Sequence, residues 1–372
     1  DGRCVVWLGR LGTCASRRLG EAGRDASPGH YKGYTSVSSG AHDIACFGRR
    51  AAGEGHVVSL QPLGEQTRVS LYKEGEKVEL SEAMPMLEDL GLRVIEELST
   101  RLTGEEDEVW VQEFRVLGPD GAPLDVEARG AGVAEVIAAV WRGDAESDPL
   151  NRLVVTAGLD RRQLEVLRAY RKYRQRVGSR FTEGYQNEVL AANPEITSKL
   201  VRDFELKFDP SLPHDDEAEH ALRDEILADL EEVTSLDHDR ILRNQLSVID
   251  ATLRTNAYRP TRQALSFKLR SADVPAIPQP APAFEIYVYA AAMEGIHLRG
   301  GPIARGGIRW SDRMDYRTEV YGLMRAQLTK NAVIVPAGAK GGFIIKHVPA
   351  DRDELKAEVE AQYKTYVRAL LD

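Results

Sequence analysis

The sequence predicts a mixed α/β chain of several domains, and three observations carry that expectation. Between His56 and Gly143, short alternating segments interleave with two helical ones in the order β-α-β-β-α. From about Leu150 to Arg262, apolar residues recur at intervals of three and four, the period of helices packed by one face. After Ala264 strands return, and a helix then an apolar run lead into a glycine-framed lysine, the order of an α/β domain. At 372 residues the chain is long enough for two or three domains with separate cores.

The first 55 residues stand apart. They are rich in Gly, Arg and Ser, as in GRLGTCASRRLGEAGRDASPGH, and keep neither helical nor strand period. Such a stretch buries too little apolar surface to offset its ordering entropy, so a flexible tail or a non-native segment is expected. All three cysteines, Cys4, Cys14 and Cys46, lie there, in an odd number and at spacings that fit neither a disulfide framework nor a metal pattern.

The elements follow in order. Thr67 to Lys73 alternates as a half-buried strand. Leu80 to Gly91 reads as a helix with Ser81 as N-cap and Gly91 as stop. Strands are expected at Arg93 to Leu98 and Val109 to Gly118, then a turn at Gly118 to Pro123 and a helix at Val133 to Gly143. This order suggests a ferredoxin-like split unit. In the helical stretch, Leu164, Leu167, Tyr170 and Arg171 share one spacing, and the patch from Tyr170 to Arg174 reads as core tyrosines with exposed arginines. Leu222, Ile226, Leu230 and Val233 line a helix whose acidic residues form a solvated face. His214, His220 and His238 match no ordinary metal spacing, so no metal is expected. Strands are expected at Ala264 to Ser271, Phe284 to Ala290 and Glu294 to Gly301, with Val274 to Pro282 a stiff connector. A helix at Asp315 to Thr329, a buried strand at Asn331 to Pro336 and a turn at Gly338 to Gly342 follow. A last helix from Asp351 to Leu371 shows no cap or stop, which predicts a chain cut inside a domain.

Composition narrows the function. A net charge of −9 argues against a nucleic-acid partner, since phosphate backbones demand a basic face. No apolar run is long enough to span a bilayer, so no membrane partner is expected. The absence of cysteine after Cys46 suits a reducing compartment, hence a cytoplasmic protein.

The chemistry gathers between Gly301 and Lys346. Lys330 and Lys340 flank a short apolar run, and Lys340 sits in Gly-Ala-Lys-Gly-Gly, where backbone and ligand can approach closely. Two cations held together in a tight pocket depress one another's pKa, which turns a lysine into a base near neutrality. The alternative is a surface turn with solvated lysines.

The order of residues here resembles the substrate domain of amino-acid dehydrogenases, most closely the very large NAD-dependent glutamate dehydrogenases. The matching positions are Arg305, Gly306, Gly307, Arg309, Glu319, Gln327, Lys330, Asn331, Pro336, Gly338, Lys340, Gly341 and Gly342. The resemblance implies that Lys340 is the catalytic lysine, that Lys330 and Gln327 bind the substrate α-carboxylate, and that Arg305 beside Gly307 meets its side-chain carboxylate. Gly306, Gly338, Gly341 and Gly342 would shape the site, and Arg309 would be an ion-pair partner. Arg305 where smaller members carry Lys, with a shorter interval from Lys330 to Lys340, points to the large-subunit branch. A proton-donating aspartate and a nucleotide-binding domain would lie beyond Asp372, because no Gly-x-Gly-x-x-Gly follows a strand here.

The domain plan is therefore a tail at 1–55, an ACT-like ferredoxin-type module at 56–147, a helical segment at 148–262, and the first part of a glutamate dehydrogenase catalytic domain at 263–372. The resemblance implies NAD as cofactor of the parent. It also implies L-glutamate, 2-oxoglutarate and ammonium as its reactants, and a homo-oligomeric parent, with this piece inactive alone. The alternative function is a non-catalytic amino-acid-sensing or interaction protein built on the ACT-like and helical parts.

Overall fold

The computed structural model describes residues 39–40, 42–43, 45–46, 56–103, 108–275, 277–301, 306–330 and 338–372. They form α/β structure in two compact units, one reaching to Arg142 with Ser147–Gly158, the other comprising Gly143–Glu146 and Leu159–Asp372.

The first unit is an antiparallel sheet backed by helices. Its strands β1 (Val57–Leu63), β2 (Gln66–Glu74), β3 (Arg93–Thr103) and β4 (Glu108–Leu117) lie in the order β1-β2-β4-β3. Helices α1 (Leu80–Asp89), α2 (Val126–Trp141) and α3 (Arg152–Thr156) complete it. β1 was not expected from the sequence, because Val57 to Leu60 is buried at every residue and so lacks alternation. Glu79 rather than Ser81 is the N-cap of α1, with Gly91 at φ +76° just beyond its end. α2 begins earlier than its apolar period suggests, because the Asp125 side chain accepts a hydrogen bond from Ala128 N and starts it there.

The expectation of a tail through residue 55 fails at two positions. Asp43 is fully buried and pairs with Arg68 at 2.7 Å while accepting a 2.5 Å hydrogen bond from the Tyr72 hydroxyl. Cys46 is buried against Val57, Tyr72, Val109 and Val111. Residues 1–38, 41, 44 and 47–55 lie outside the described residues.

The second unit contains α4 (Arg161–Arg176), α5 (Glu183–Ala192), α6 (Pro194–Phe208), α7 (Asp216–Glu231) and α8 (Leu236–Ala251). These lead into β5 (Thr252–Thr255), β6 (Leu265–Arg270), β7 (Phe284–Tyr289), β8 (Met293–Arg299), β9 (Ile308–Trp310), α9 (Tyr316–Lys330), β10 (Ala339–Ile345) and α10 (Arg352–Leu371). The sheet order is β5-β6-β7-β8-β10-β9. Its pairs are antiparallel except β9 with β10, which run parallel and are joined through α9 as a βαβ unit.

Two expectations change here. β5 lies inside the stretch read as helical and pairs with β6, so 148–262 does not stand apart from the sheet that follows. The arginines near Tyr170 are not exposed, because α4 is inside the unit: Tyr170 stacks on Phe267 at 4.1 Å, while Arg171 and Arg174 are 1% and 5% exposed. Arg171 is neutralised by Glu183. The strand expected at Asn331 to Pro336 falls on residues outside those described.

Candidate functional site

The glycine-framed lysine is not on a turn. Gly338 precedes β10, and Lys340 is the second residue of that strand, opposite Leu298 of β8. On its other side Gly341 N donates to Gly307 O at 3.1 Å, just ahead of the parallel pairing of Ile308 with Gly341. The site therefore lies at the amino ends of β9 and β10, where the carboxyl end of α9 also arrives.

Close approach explains the glycines. A Cβ on Gly306 would sit 1.5 Å from the Ala339 carbonyl oxygen, and one on Gly342 would meet Val320 Cγ2 at 2.4 Å. A Cβ on Gly338 would be 3.2 Å from Gln327 Cβ and Cγ. The same construction at Gly307 reaches only Lys340 Nζ, at 4.0 Å, so the missing side chain leaves open space beside the ammonium. Gly341 is walled by Tyr366, His297 and Ile308.

Gln327 brings the polar group. Its Oε1 is buried with no hydrogen-bond partner among the described residues, and it lies 3.2 Å from where a Gly306 Cβ would be. Left unmet, a buried amide oxygen costs about 1–3 kcal/mol, which a bound polar ligand would recover. A side-chain amide offers donor or acceptor according to its flip, so this end can meet a carboxylate or an amine.

Ion pairs hold the surrounding elements. Arg317, in the first turn of α9, pairs with Glu285 of β7, and both are buried. Arg309 pairs with Glu319 at 2.9 Å, the structural partnership expected for it, and Ser311 Oγ donates to the other Glu319 oxygen at 2.8 Å.

The structure thus brings Gly306, Gly307, Gln327, Gly338, Lys340, Gly341 and Gly342 together. Lys330 closes α9 one turn beyond Gln327, but its side chain, like Arg305, Asn331 and Pro336, lies outside the described residues. Sequence reasoning missed His297, Arg299 and Tyr366. Burial, then the nearby Arg299 cation, hold the His297 imidazole down at about 4, so it is neutral near pH 7. The signal for Tyr366 was present in Gly295 and Gly341, since glycine inside a strand marks a close approach. The structure also groups His214 with Asp216 and Glu219 near the surface, their ligand atoms within 4.8 Å, a set that histidine spacing alone could not reveal.

Three family models match the chain. The one described as bacterial NAD-glutamate dehydrogenase, catalytic domain, matches residues 225–372. Glutamate dehydrogenase, helical motif 3, matches 145–210, and glutamate dehydrogenase, ACT3 domain, matches 58–129. The chain is 40% identical over 362 residues to a protein of Halomonas elongata named NAD-specific glutamate dehydrogenase, covering 94% of this chain and 22% of that protein. Proteins of the same name from Pseudomonas aeruginosa and Mycobacterium tuberculosis are 42% and 41% identical, over 84% and 80% of this chain and 20% of each relative. The chain thus spans about a fifth of the length of these curated relatives. Among the described residues no helix is long and apolar enough to cross a membrane.

Proposed function

Because the chain belongs to the large NAD-dependent glutamate dehydrogenases, we propose that it supplies the lysine half of their reaction centre in a longer protein that oxidises L-glutamate with NAD. The products are 2-oxoglutarate and ammonium. The observation that carries this reading is the meeting of Lys340 Nζ, the empty side of Gly307 and the unmet amide oxygen of Gln327 at one end of β9 and β10.

In this reading the α-carboxylate of glutamate lies against Gln327 and is paired by the ammonium of Lys330, the last residue of α9. Arg305 grips the side-chain carboxylate through two parallel hydrogen bonds. Lys340 moves the proton of the water that attacks the imino carbon, and its place on a paired strand fixes its distance from that carbon. NAD supplies the hydride acceptor. The sequence has no Gly-x-Gly-x-x-Gly after a strand, so we assign the binding of NAD to parts of the longer protein outside this chain. The 56–147 module, the helices that follow it and the sheet that begins at β5 are assigned to the ACT-like, helical and catalytic parts of that protein, which we expect to be a cytoplasmic homo-oligomer.

Lys340→Ala in the whole protein tests this. Turnover should fall by roughly two to four orders of magnitude, the span of a positioned acid–base group, with a far smaller change in KM. Near-wild-type hydride transfer in stopped flow would remove Lys340 from the chemistry.

A further inference from the structure

The helical part of the second unit, with Val274 and Pro275, forms a half-open cavity of about 400 Å³ that the proposed reaction does not use. It lies among the carboxyl end of α4, the loop that follows, and α8. Arg174, Arg180, Phe181, Arg240, Asn244 and Val248 are among its lining residues, which include three arginines and no carboxylate.

Arg174 is the unusual member. It is 5% exposed, and Nη1 donates to the Ile241 carbonyl oxygen at 2.8 Å. Its Nε and Nη2 have no hydrogen-bond partner among the described residues. Those two nitrogens share one edge of the guanidinium, the edge that grips a carboxylate or phosphate with two parallel bonds. Other buried arginines of this unit are answered by acids: Arg171 by Glu183, Arg176 by Glu294 and Arg317 by Glu285. Burial, then the Arg171 cation, push Arg174 down to about 9, the mark of a positive charge held without a counter-charge. Evolving a buried cation with two unmet donors costs stability unless something meets them.

We propose that this cavity binds a small anion, a carboxylate or phosphate borne on an apolar body. Arg174 takes the charged group along its free edge, Arg180 and Arg240 add long-range attraction from the rim, and Phe181 and Val248 cover the apolar part. The site is separate from the Lys340 residues and rests on none of them.

Calorimetry on the full chain in low-chloride buffer near pH 7 tests this with two probes, inorganic phosphate and benzoate. Saturable one-to-one binding of either supports the site, and which one binds identifies the charged group, with benzoate reporting the apolar contact. Arg174→Met should abolish binding while leaving thermal stability equal or higher, because it removes an uncompensated charge at similar volume. Arg240→Ala and Arg180→Ala, both surface changes, should each weaken binding by roughly three- to tenfold, and they carry the test if the Met variant does not fold. Absence of binding at millimolar concentration, or equal binding by the wild type and the arginine variants, overturns the proposal.

Discussion

Arg317 grips Glu285 through two hydrogen bonds, Nε at 3.1 Å and Nη2 at 2.5 Å, and so fixes the start of α9 to the middle of the sheet. Glu285 also accepts from the Tyr173 hydroxyl at 3.0 Å, which ties α4 to the same carboxylate. One buried acid therefore orients the helix whose far end carries Gln327 and Lys330.

Removing one partner should leave the other charge buried and unmet. Glu285→Ala is expected to cost about 3–5 kcal/mol in urea denaturation, whereas Glu285→Leu combined with Arg317→Leu should recover much of that loss. A loss under about 1 kcal/mol for the single change would show that α9 is held by other contacts.

Gly306 and Gly342 should differ in tolerance. A methyl on Gly342 meets the tip of Val320, so Gly342→Ala should cost about 1–3 kcal/mol and be relieved by Val320→Ala. At Gly306 the obstacle is the Ala339 carbonyl, which cannot swing aside without breaking the run into β10. Gly306→Ala should therefore be the worse of the two and escape rescue, as thermal melts of both variants will report.

Acid should destabilise the second unit in two stages. His297 is held at about 4 in the folded state against an ordinary 6.5, so unfolding takes up a proton between those values and stability falls as pH drops through them. Glu294 is nearly fully buried: burial raises its pKa, but Lys346 and Arg176 outweigh that and hold it at about 2 against 4.5. Its contribution, about 3 kcal/mol, is present above 4.5 and lost as pH falls toward 2. His297→Gln should flatten the upper stage of a stability–pH curve and Glu294→Gln the lower, and a curve unchanged in both variants would contradict the assignment.

Substrate choice tests Arg305 in the whole protein. If it meets the side-chain carboxylate, Arg305→Ala should lower kcat/KM for glutamate by about 1.5–3 kcal/mol while sparing norvaline, which lacks that group. Equal losses for both substrates would make Arg305 structural.

Much of this was legible in the sequence. Alternation at Leu265, Phe267 and Leu269 located β6, and the apolar stripe of Val320, Leu323, Met324 and Leu328 located α9, although Leu323 of that stripe is 37% exposed. β1 and β10 were not, since the first four residues of β1 and all but one of β10 are buried and carry no alternation to read. The order of glycines and cations around Lys340 pointed to the site, but not that Lys340 lies on a strand, which depends on its pairing with Leu298 of β8, some forty residues earlier in the sequence. Arg174 was misread as surface because helical spacing cannot reveal a second layer, here α8, closing over the polar side of α4.

Tyr366 of α10 lies across β8 and β10, its ring 2.4 Å from where a Gly295 Cβ would be, its hydroxyl 2.9 Å from where one on Gly341 would be, while that hydroxyl donates to the Ile296 carbonyl oxygen at 2.7 Å. The three positions form a single lock: two absences of side chain and one large ring that fills them. In a random mutational screen for loss of activity, changes at Tyr366 should surface beside those at Lys340, because the ring sets where Gly341, the neighbour of Lys340, can lie. Substitutions that enlarge Gly295 or Gly341 should be recovered only together with a smaller residue at 366, so these positions are expected to vary as a set or not at all.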